Sequence, residues 1–186
     1  MNRAVILDRD GVINVDKGYV HRMEDFELLP GLIDALGLLP GDFKLIVITN
    51  QSGIGRGFYT DKEFQGFTDQ VIEYLLKRGV RLHGVYYCPH VPADKCSCRK
   101  PNPALLERAI EEFHLDPKKC FVIGDDSSDI EMGEALGCHT IFLQREDRGR
   151  RARYPTRPEH VACDMMDAVR YILSLEPSGQ GRSQGE

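Results

Sequence analysis

The feature that most constrains the fold of this 186-residue chain is a series of short apolar runs separated by amphipathic segments. Each run contains four to six residues and is rich in β-branched and aromatic types, as buried strands are. Strands that alternate with helices at this spacing favour right-handed crossovers and a parallel sheet covered on both faces. The sequence therefore predicts an α/β fold with strands at residues 4–7, 44–49, 84–87, 120–123 and 140–143.

Helices are predicted between most of these runs. The clearest spans residues 60–78, where Thr60 and Glu63 have the spacing of a capping box. The apolar residues that follow recur at spacings of three and four, which is one stripe of a helix. Further helices are predicted at residues 105–113, from Ser127 and Ser128 to Gly137, and at residues 166–173.

Length and composition limit the class of protein. The length fits one domain, which we place at residues 1–175. A net charge of -5 disfavours a nucleic-acid partner held by overall positive charge. No apolar run approaches the roughly 18 residues of a membrane span, and the first run is too short for a signal peptide. We therefore expect a cytoplasmic protein without a membrane partner and, because no interface signal is visible, a monomer.

Two polar segments fall outside the alternation of strands and helices. Residues 145–157 contain six arginines interleaved with Glu146 and Asp147, and only one aromatic residue, Tyr154. A solvated loop is favoured there over a second phosphate site or a nucleic-acid patch. Residues 176–186 are polar and rich in turn formers, so they are predicted to be a disordered tail.

Chemically active side chains follow the ends of three predicted strands. Asp8 and Asp10 follow the first, Thr49 the second, and Asp125 the run that ends at residue 123. The carboxyl ends of parallel strands form one rim, where ligands bind in such sheets. Asp8 and Asp10 are two residues apart and can point to the same side, and close carboxylates need a cation between them. Oxygen ligands of this kind suit Mg²⁺.

With the metal in place, these residues fit a phosphoryl transfer. Asp8 would act as the nucleophile and form an aspartyl-phosphate, while Asp10 would protonate the leaving oxygen and later deprotonate water. Thr49 and Lys100 would stabilise the phosphoryl oxygens. Taken singly, each motif has an ordinary structural reading, such as a turn, an acidic helix start or a surface lysine.

Four short motifs together resemble those of the haloacid dehalogenase (HAD) superfamily of phosphatases. They are Leu7-Asp8-Arg9-Asp10-Gly11, Val47-Ile48-Thr49-Asn50, Arg99-Lys100-Pro101 and Gly124-Asp125-Asp126-Ser127-Ser128-Asp129. The resemblance implies a Rossmann-like, doubly wound parallel sheet without a large cap domain, and it implies the same roles for Asp8, Asp10, Thr49 and Lys100. Mg²⁺ would be held by Asp8, the Asp10 carbonyl and Asp125, and we include Asp126 in that set.

A cysteine-rich loop at residues 88–101 predicts a second metal. Cys88, His90, Cys96 and Cys98 offer three thiols and an imidazole, which can close a tetrahedral Zn²⁺ site. Four protein ligands leave no open position, so the ion would be structural. A Cys96–Cys98 disulfide or simple buried thiols are the alternatives, and clustering in a reducing compartment favours metal.

The loop resembles that of two groups in the superfamily, one acting on heptose bisphosphates and one on histidinol phosphate. Residues 14–21, 26–27 and 49–57 resemble the heptose group, which favours removal of the 7-phosphate of D-glycero-D-manno-heptose 1,7-bisphosphate, a step on the route to activated heptose for cell-surface glycans. The five-residue gap between His90 and Cys96 is closer to the histidinol group, whose substrate is the alternative. A phosphoacceptor signalling module is a third possibility, although it has no need of Asp10. The substrate contacts that the resemblance implies are Asp16, Lys17, Gly18, Tyr19, Asn50, Gln51, Ser52 and Arg99. A second anionic group on the substrate would call for a cation at the pocket mouth, for which Arg99, Lys17 and Arg56 are candidates.

Overall fold

In the computed structural model, which describes residues 1–144 and 157–176, six strands form one fully parallel sheet. The strand order is β3-β2-β1-β4-β5-β6, the doubly wound order of the Rossmann fold. The predicted α/β fold class and all five predicted strands are thus confirmed. The strands are β1 (Asn2–Leu7), β2 (Phe43–Asn50), β3 (Gly84–Cys88), β4 (Leu115–Gly124), β5 (His139–Leu143) and β6 (His160–Ala162).

The described residues also form six helices and a short 3₁₀ turn at Pro92–Asp94. The predicted capping box is present, because the Thr60 hydroxyl accepts from the Glu63 amide at 3.2 Å while the Glu63 carboxylate accepts from the Thr60 amide at 2.7 Å. The helices are α1 (Leu32–Gly37), α2 (Ser52–Gly55), α3 (Asp61–Leu76), α4 (Ala104–Phe113), α5 (Ser127–Ala135) and α6 (Met165–Leu175). The sequence analysis did not predict α1, α2 or β6, which are too short to show a period.

Both faces of the sheet are covered, as predicted. Alternate residues of β1 illustrate the arrangement: Val5 and Leu7 belong to the core under α1, α3 and α6, whereas Ala4 and Ile6 belong to the core under α4. This two-residue period follows from the pleat of a strand. The sheet is therefore held from both sides, and its strand ends are fixed relative to one another.

The chain reverses its direction of strand addition at β1, which lies between β2 and β4. Leu7 pairs in register with Val47 of β2 and Ile123 of β4, and the Asp8 amide donates to the Ile123 carbonyl at 3.1 Å. The three strands consequently end at one edge of the sheet, with β2 running three residues and β4 one residue past the partners of Leu7. A crevice at such a reversal point is where open α/β sheets bind ligands.

Some predictions fall on parts of the chain that the structure does not describe. Residues 145–156 of the arginine-rich segment and residues 177–186 of the tail lie outside the described residues, and the domain bounds of 1–175 stay a prediction. Within the described ranges there is no separate cap domain and no helix that is long and apolar enough to cross a membrane.

Candidate active site

The centre of the crevice is a buried ion-pair network at the tip of β1. The Lys100 ammonium lies 3.0 Å from Asp8 Oδ1 and 2.6 Å from Asp129 Oδ1, and it donates to the Ile48 carbonyl at 2.8 Å. Burial lowers the pKa of Lys100, but the two carboxylates outweigh burial and raise it above its ordinary value. Lys100 is therefore a fixed positive charge beside Asp8.

Carboxylates outnumber the ammonium at this point. Oxygens of Asp8, Asp125 and Asp129 all lie within 4.8 Å of one another. Burial raises the pKa of Asp129 although Lys100 opposes that effect, as expected where negative charge is concentrated. The donor set is all oxygen and carries excess negative charge, so it fits a hard divalent cation such as Mg²⁺.

Gly11 makes room for this cluster. Its φ of +85° is rarely adopted by other residues, and a Cβ built there would lie 2.0 Å from Asp125 Oδ2. Any side chain at this position would therefore push the Asp125 carboxylate away from the tip of β1.

Asp10 lies beside the cluster and accepts hydrogen bonds from three side chains. The buried Arg9 guanidinium contacts both carboxylate oxygens, with Nη2 2.9 Å from Oδ1 and 2.6 Å from Oδ2. Asn14 Nδ2 donates to Oδ1 and Gln51 Nε2 to Oδ2, each at 3.0 Å. Arg9 also donates to the Val20 carbonyl at 2.7 Å, which ties Asp10 to the loop after β1.

Thr49 and Asn50 lie at the end of β2 and complete the rim. Thr49 is buried, and its hydroxyl oxygen accepts from Gln51 Nε2 at 2.9 Å. Asn50 Oδ1 accepts from the Lys100 amide at 3.1 Å, so β2 holds the backbone of the residue whose ammonium faces Asp8. Side chains from three separate parts of the chain therefore converge on one point.

These groups line a cavity of about 450 Å³. The predicted catalytic residues Asp8, Asp10, Thr49 and Lys100 all contribute to it, and so do the predicted magnesium ligands. Of the predicted substrate contacts, the cavity brings together Asp16, Gly18, Tyr19, Asn50, Gln51, Ser52 and Arg99. Lys17 and Arg56 do not line it; Lys17 instead pairs with Glu27 at 2.9 Å.

Residues that the sequence analysis did not select also reach the site. Asp129 of α5 joins the carboxylate cluster, and its place in the motif Gly124-Asp125-Asp126-Ser127-Ser128-Asp129 was the available signal. Tyr59 and Ser128 line the cavity. Asp126 lines it too, but its carboxylate accepts from the Ser128 amide at 2.9 Å as the N-cap of α5. The assignment of Asp126 to magnesium stays a prediction.

The predicted metal loop gathers its four ligands beside this cavity. The sulfurs of Cys88 and Cys98 are 3.1 Å apart, and each is 3.5 Å from Cys96. His90 Nδ1 lies 3.2 Å from the Cys98 sulfur. A disulfide would need about 2.05 Å, and all of these cysteines are free. Bonds of about 2.3 Å from zinc to sulfur imply tetrahedron edges of roughly 3.8 Å. The sulfurs lie somewhat closer together than that, and all four ligand atoms lie within 4.8 Å of one another, so one ion could contact all of them.

Comparisons with known proteins agree with this site. A family model described as HAD-hydrolase-like matches residues 97–168. The D-glycero-beta-D-manno-heptose-1,7-bisphosphate 7-phosphatase of Haemophilus ducreyi is 36% identical over 179 residues, covering 91% of this chain and 98% of its own. The enzyme of that name from Haemophilus influenzae is 41% identical over 183 residues, covering 95% and 100%.

A solved structure extends the likeness to three dimensions. It is the D,D-heptose 1,7-bisphosphate phosphatase of B. bronchiseptica complexed with magnesium and phosphate, with a TM-score of 0.83 and 29% identity, covering 92% of this chain and 98% of that one. The sheet order and the residues at the tip of β1 define a HAD-type hydrolase. The chain belongs to the HAD superfamily, in the family of the heptose-bisphosphate phosphatases. The predictions of that family and of a phosphoric monoester hydrolase, rather than a signalling module, are confirmed.

Proposed function

We propose that this chain removes the 7-phosphate of D-glycero-D-manno-heptose 1,7-bisphosphate, with Asp8 as the nucleophile and Mg²⁺ as the cofactor. The observation that carries the proposal is the Asp8 carboxylate, which faces a polar cavity and is 3.0 Å from the buried Lys100 ammonium. The names of the relatives support the substrate, and the magnesium and phosphate bound to the B. bronchiseptica enzyme support the cofactor.

In the first step, an Asp8 oxygen attacks phosphorus and the bond from phosphorus to the sugar oxygen breaks. Asp10 gives its proton to that oxygen, so the sugar leaves as a neutral alcohol. The Thr49 hydroxyl and the Lys100 ammonium stabilise the charge on the phosphoryl oxygens. Mg²⁺, held by Asp8, Asp125 and the Asp10 carbonyl, would offset the repulsion between the carboxylates and the substrate phosphate.

In the second step, water attacks the phosphorus of the aspartyl-phosphate. Asp10, now a carboxylate, takes a proton from that water, and the bond between Asp8 and phosphorus breaks to release inorganic phosphate. Arg9 and Asn14 orient Asp10 for both proton transfers because their hydrogen bonds fix the position of its carboxylate.

The Cys/His loop is proposed to hold one structural Zn²⁺. Cys98 ends this ligand set and is followed directly by Arg99 and Lys100, so the ion would stabilise the chain where it enters the cavity. The proposed compartment is the cytoplasm, because reducing conditions keep these thiols available to a metal. The reaction would be one step on the route to activated heptose for cell-surface glycans.

A substrate panel tests the proposal. Phosphate release is measured with the heptose bisphosphate, with histidinol phosphate and with p-nitrophenyl phosphate, each with Mg²⁺ and with EDTA. We expect the highest kcat/KM for the heptose bisphosphate and loss of activity in EDTA that Mg²⁺ together with Zn²⁺ restores but Zn²⁺ alone does not. A higher kcat/KM for histidinol phosphate would reject the substrate, and full activity in EDTA would reject the cofactor.

A further inference from the structure

Tyr59 is a buried residue of the cavity wall to which the proposed reaction gives no role. Its hydroxyl donates to Gln51 Oε1 at 2.8 Å. The other end of the same amide, Gln51 Nε2, donates to Asp10 Oδ2 at 3.0 Å and to Thr49 Oγ1 at 2.9 Å. One amide group thus connects Tyr59 with two residues that act on the phosphoryl group and the leaving oxygen.

The orientation of this amide matters because its two ends have opposite hydrogen-bonding character. When NH₂ faces Thr49, the hydroxyl oxygen accepts, and the hydroxyl hydrogen remains available to donate into the cavity. If the amide were flipped, Oε1 would accept that hydrogen and would also face the Asp10 carboxylate, which accepts hydrogen bonds when ionised. The flipped amide would remove a donor from the phosphoryl group and would repel Asp10 whenever that carboxylate is ionised.

Tyr59 is built to hold the observed orientation. Burial raises the pKa of Tyr59 to about 12, so its hydroxyl keeps the hydrogen that Gln51 Oε1 accepts. The ring stacks on His21 at 4.4 Å between centroids. Gly53 allows this placement, because a Cβ there would lie 2.3 Å from Tyr59 Cε1. A side chain at position 53 would therefore collide with the Tyr59 ring in its observed place.

We propose that Tyr59 is a positioning residue that fixes the Gln51 amide, so that the Thr49 hydroxyl points its hydrogen at the phosphoryl group and Asp10 keeps its place. The proposal rests on the roles given to Thr49 and Asp10 in the proposed function. It goes beyond that function by giving Tyr59 a positioning role and by making Gln51 the residue through which Tyr59 acts on Thr49 and Asp10.

The test compares Tyr59→Phe with Tyr86→Phe. Tyr86 is a matched control, since it is also buried and its hydroxyl also donates to one side chain, the Glu112 carboxylate at 2.7 Å, but it lies outside the cavity. We expect Tyr59→Phe to lower kcat about tenfold, a part of the hundredfold or more that positioned proton transfer contributes. KM should rise by no more than the roughly fivefold expected for phosphate binding, so kcat falls more than KM rises, and Tyr86→Phe should leave both constants unchanged.

A double-mutant cycle separates orientation from packing. In the Gln51→Leu background no amide remains to be oriented, so adding Tyr59→Phe should cost no further activity. The same tenfold loss in that background, or full activity of Tyr59→Phe alone, would overturn the proposal.

Binding of inorganic phosphate gives a reading that does not need turnover. Calorimetry in the presence of Mg²⁺ should show about fivefold weaker phosphate binding for Tyr59→Phe and none of that loss for Tyr86→Phe, because one hydrogen-bond donor has turned away. Equal phosphate affinities of the wild type and Tyr59→Phe would overturn the role proposed for Tyr59 and leave the proposed function untouched. A wild-type protein that binds phosphate but hydrolyses no phosphomonoester would instead overturn the proposed function.

Discussion

The two candidate cation sites of this chain are constructed in opposite ways. The carboxylate cluster takes Asp8 from the end of β1, Asp125 from the end of β4 and Asp129 from α5, and Lys100 already balances part of its charge. The Cys/His loop takes all its ligands from residues 88–98, where Cys88 alone belongs to a strand. The fold creates the first site, whereas the second ligand set has to create its own local fold.

The two regions meet in sequence at residues 98–100. Cys98 belongs to the loop, Arg99 donates to the His90 carbonyl at 3.4 Å, and Lys100 belongs to the carboxylate cluster. Asn50 accepts from the Lys100 amide and so steadies the junction from the sheet side. In the carboxylate cluster, a mutation can therefore remove catalysis without lowering stability. In the Cys/His loop, a mutation should change catalysis and local stability together.

The largest expected effect is on chemistry alone. Asp8→Asn removes the attacking charge with little change of shape, so phosphate release should fall at least about 10⁴-fold. Lys100 keeps Asp129 as a partner, so the Tm should shift by only a few degrees as measured by circular dichroism. Substantial residual turnover would show that another residue attacks phosphorus.

Lys100→Met should damage the carboxylate cluster itself. Removing the ammonium leaves Asp8 and the buried Asp129 without their shared partner, and breaking such a buried pair costs about 3–5 kcal/mol. Urea unfolding in EDTA measures this loss. The double variant Lys100→Met with Asp129→Asn should recover much of the stability but none of the activity, and a stable single variant would contradict the network.

A smaller and mixed effect is expected in the Cys/His loop. Cys96→Ser should lower the zinc content measured by atomic absorption and make the loop more sensitive to proteolysis, since ligand loss releases local structure. Because Lys100 adjoins the loop, kcat/KM should fall about tenfold. Cys163→Ser, at a free exposed cysteine outside the ligand set, is the control. If the wild-type protein contained no zinc, the assignment of a structural Zn²⁺ to the Cys/His loop would be wrong.

The smallest effect concerns pH and belongs to the cavity side. Burial raises the pKa of Tyr59 to about 12, above the ordinary value near 10. The unfolded chain therefore loses this proton first, and the free energy of unfolding should fall as pH rises from about 10 to about 12, by no more than about 2 kcal/mol. Tyr59→Phe should show a shallower decline in urea unfolding over that range. Equal slopes for the two proteins would contradict the burial of this hydroxyl.

Most of the sheet could be predicted because its strands are apolar runs that are too short for buried helices and rich in β-branched residues. The convergence of Asp8, Thr49 and Asp125 followed from one topological rule, that parallel strands end at one rim. β6 escaped notice because its three residues, His160–Ala162, show no alternation. α1 has six residues, fewer than two turns, so it has no visible period.

The sequence was a poorer guide to the residues that line the cavity from loops. Lys17 and Arg56 were selected for charge, yet charge alone does not say where a loop side chain points, and Glu27 attracts Lys17 away from the cavity. Tyr59 lies between two helices in a turn without a motif. Its position depends on Gly53 and His21, contacts that only the assembled fold reveals.

The pairing of β1 with both β2 and β4 has a consequence for biosynthesis. Asp8 leaves the ribosome before its strand neighbour β4 and the residue Asp129, which follow more than one hundred residues later. A nascent chain that ends before α5 holds the nucleophile without the carboxylate cluster that surrounds it in the folded protein. Recovered turnover during refolding would thus report the closing of this long-range pairing, which is the slow kind of contact.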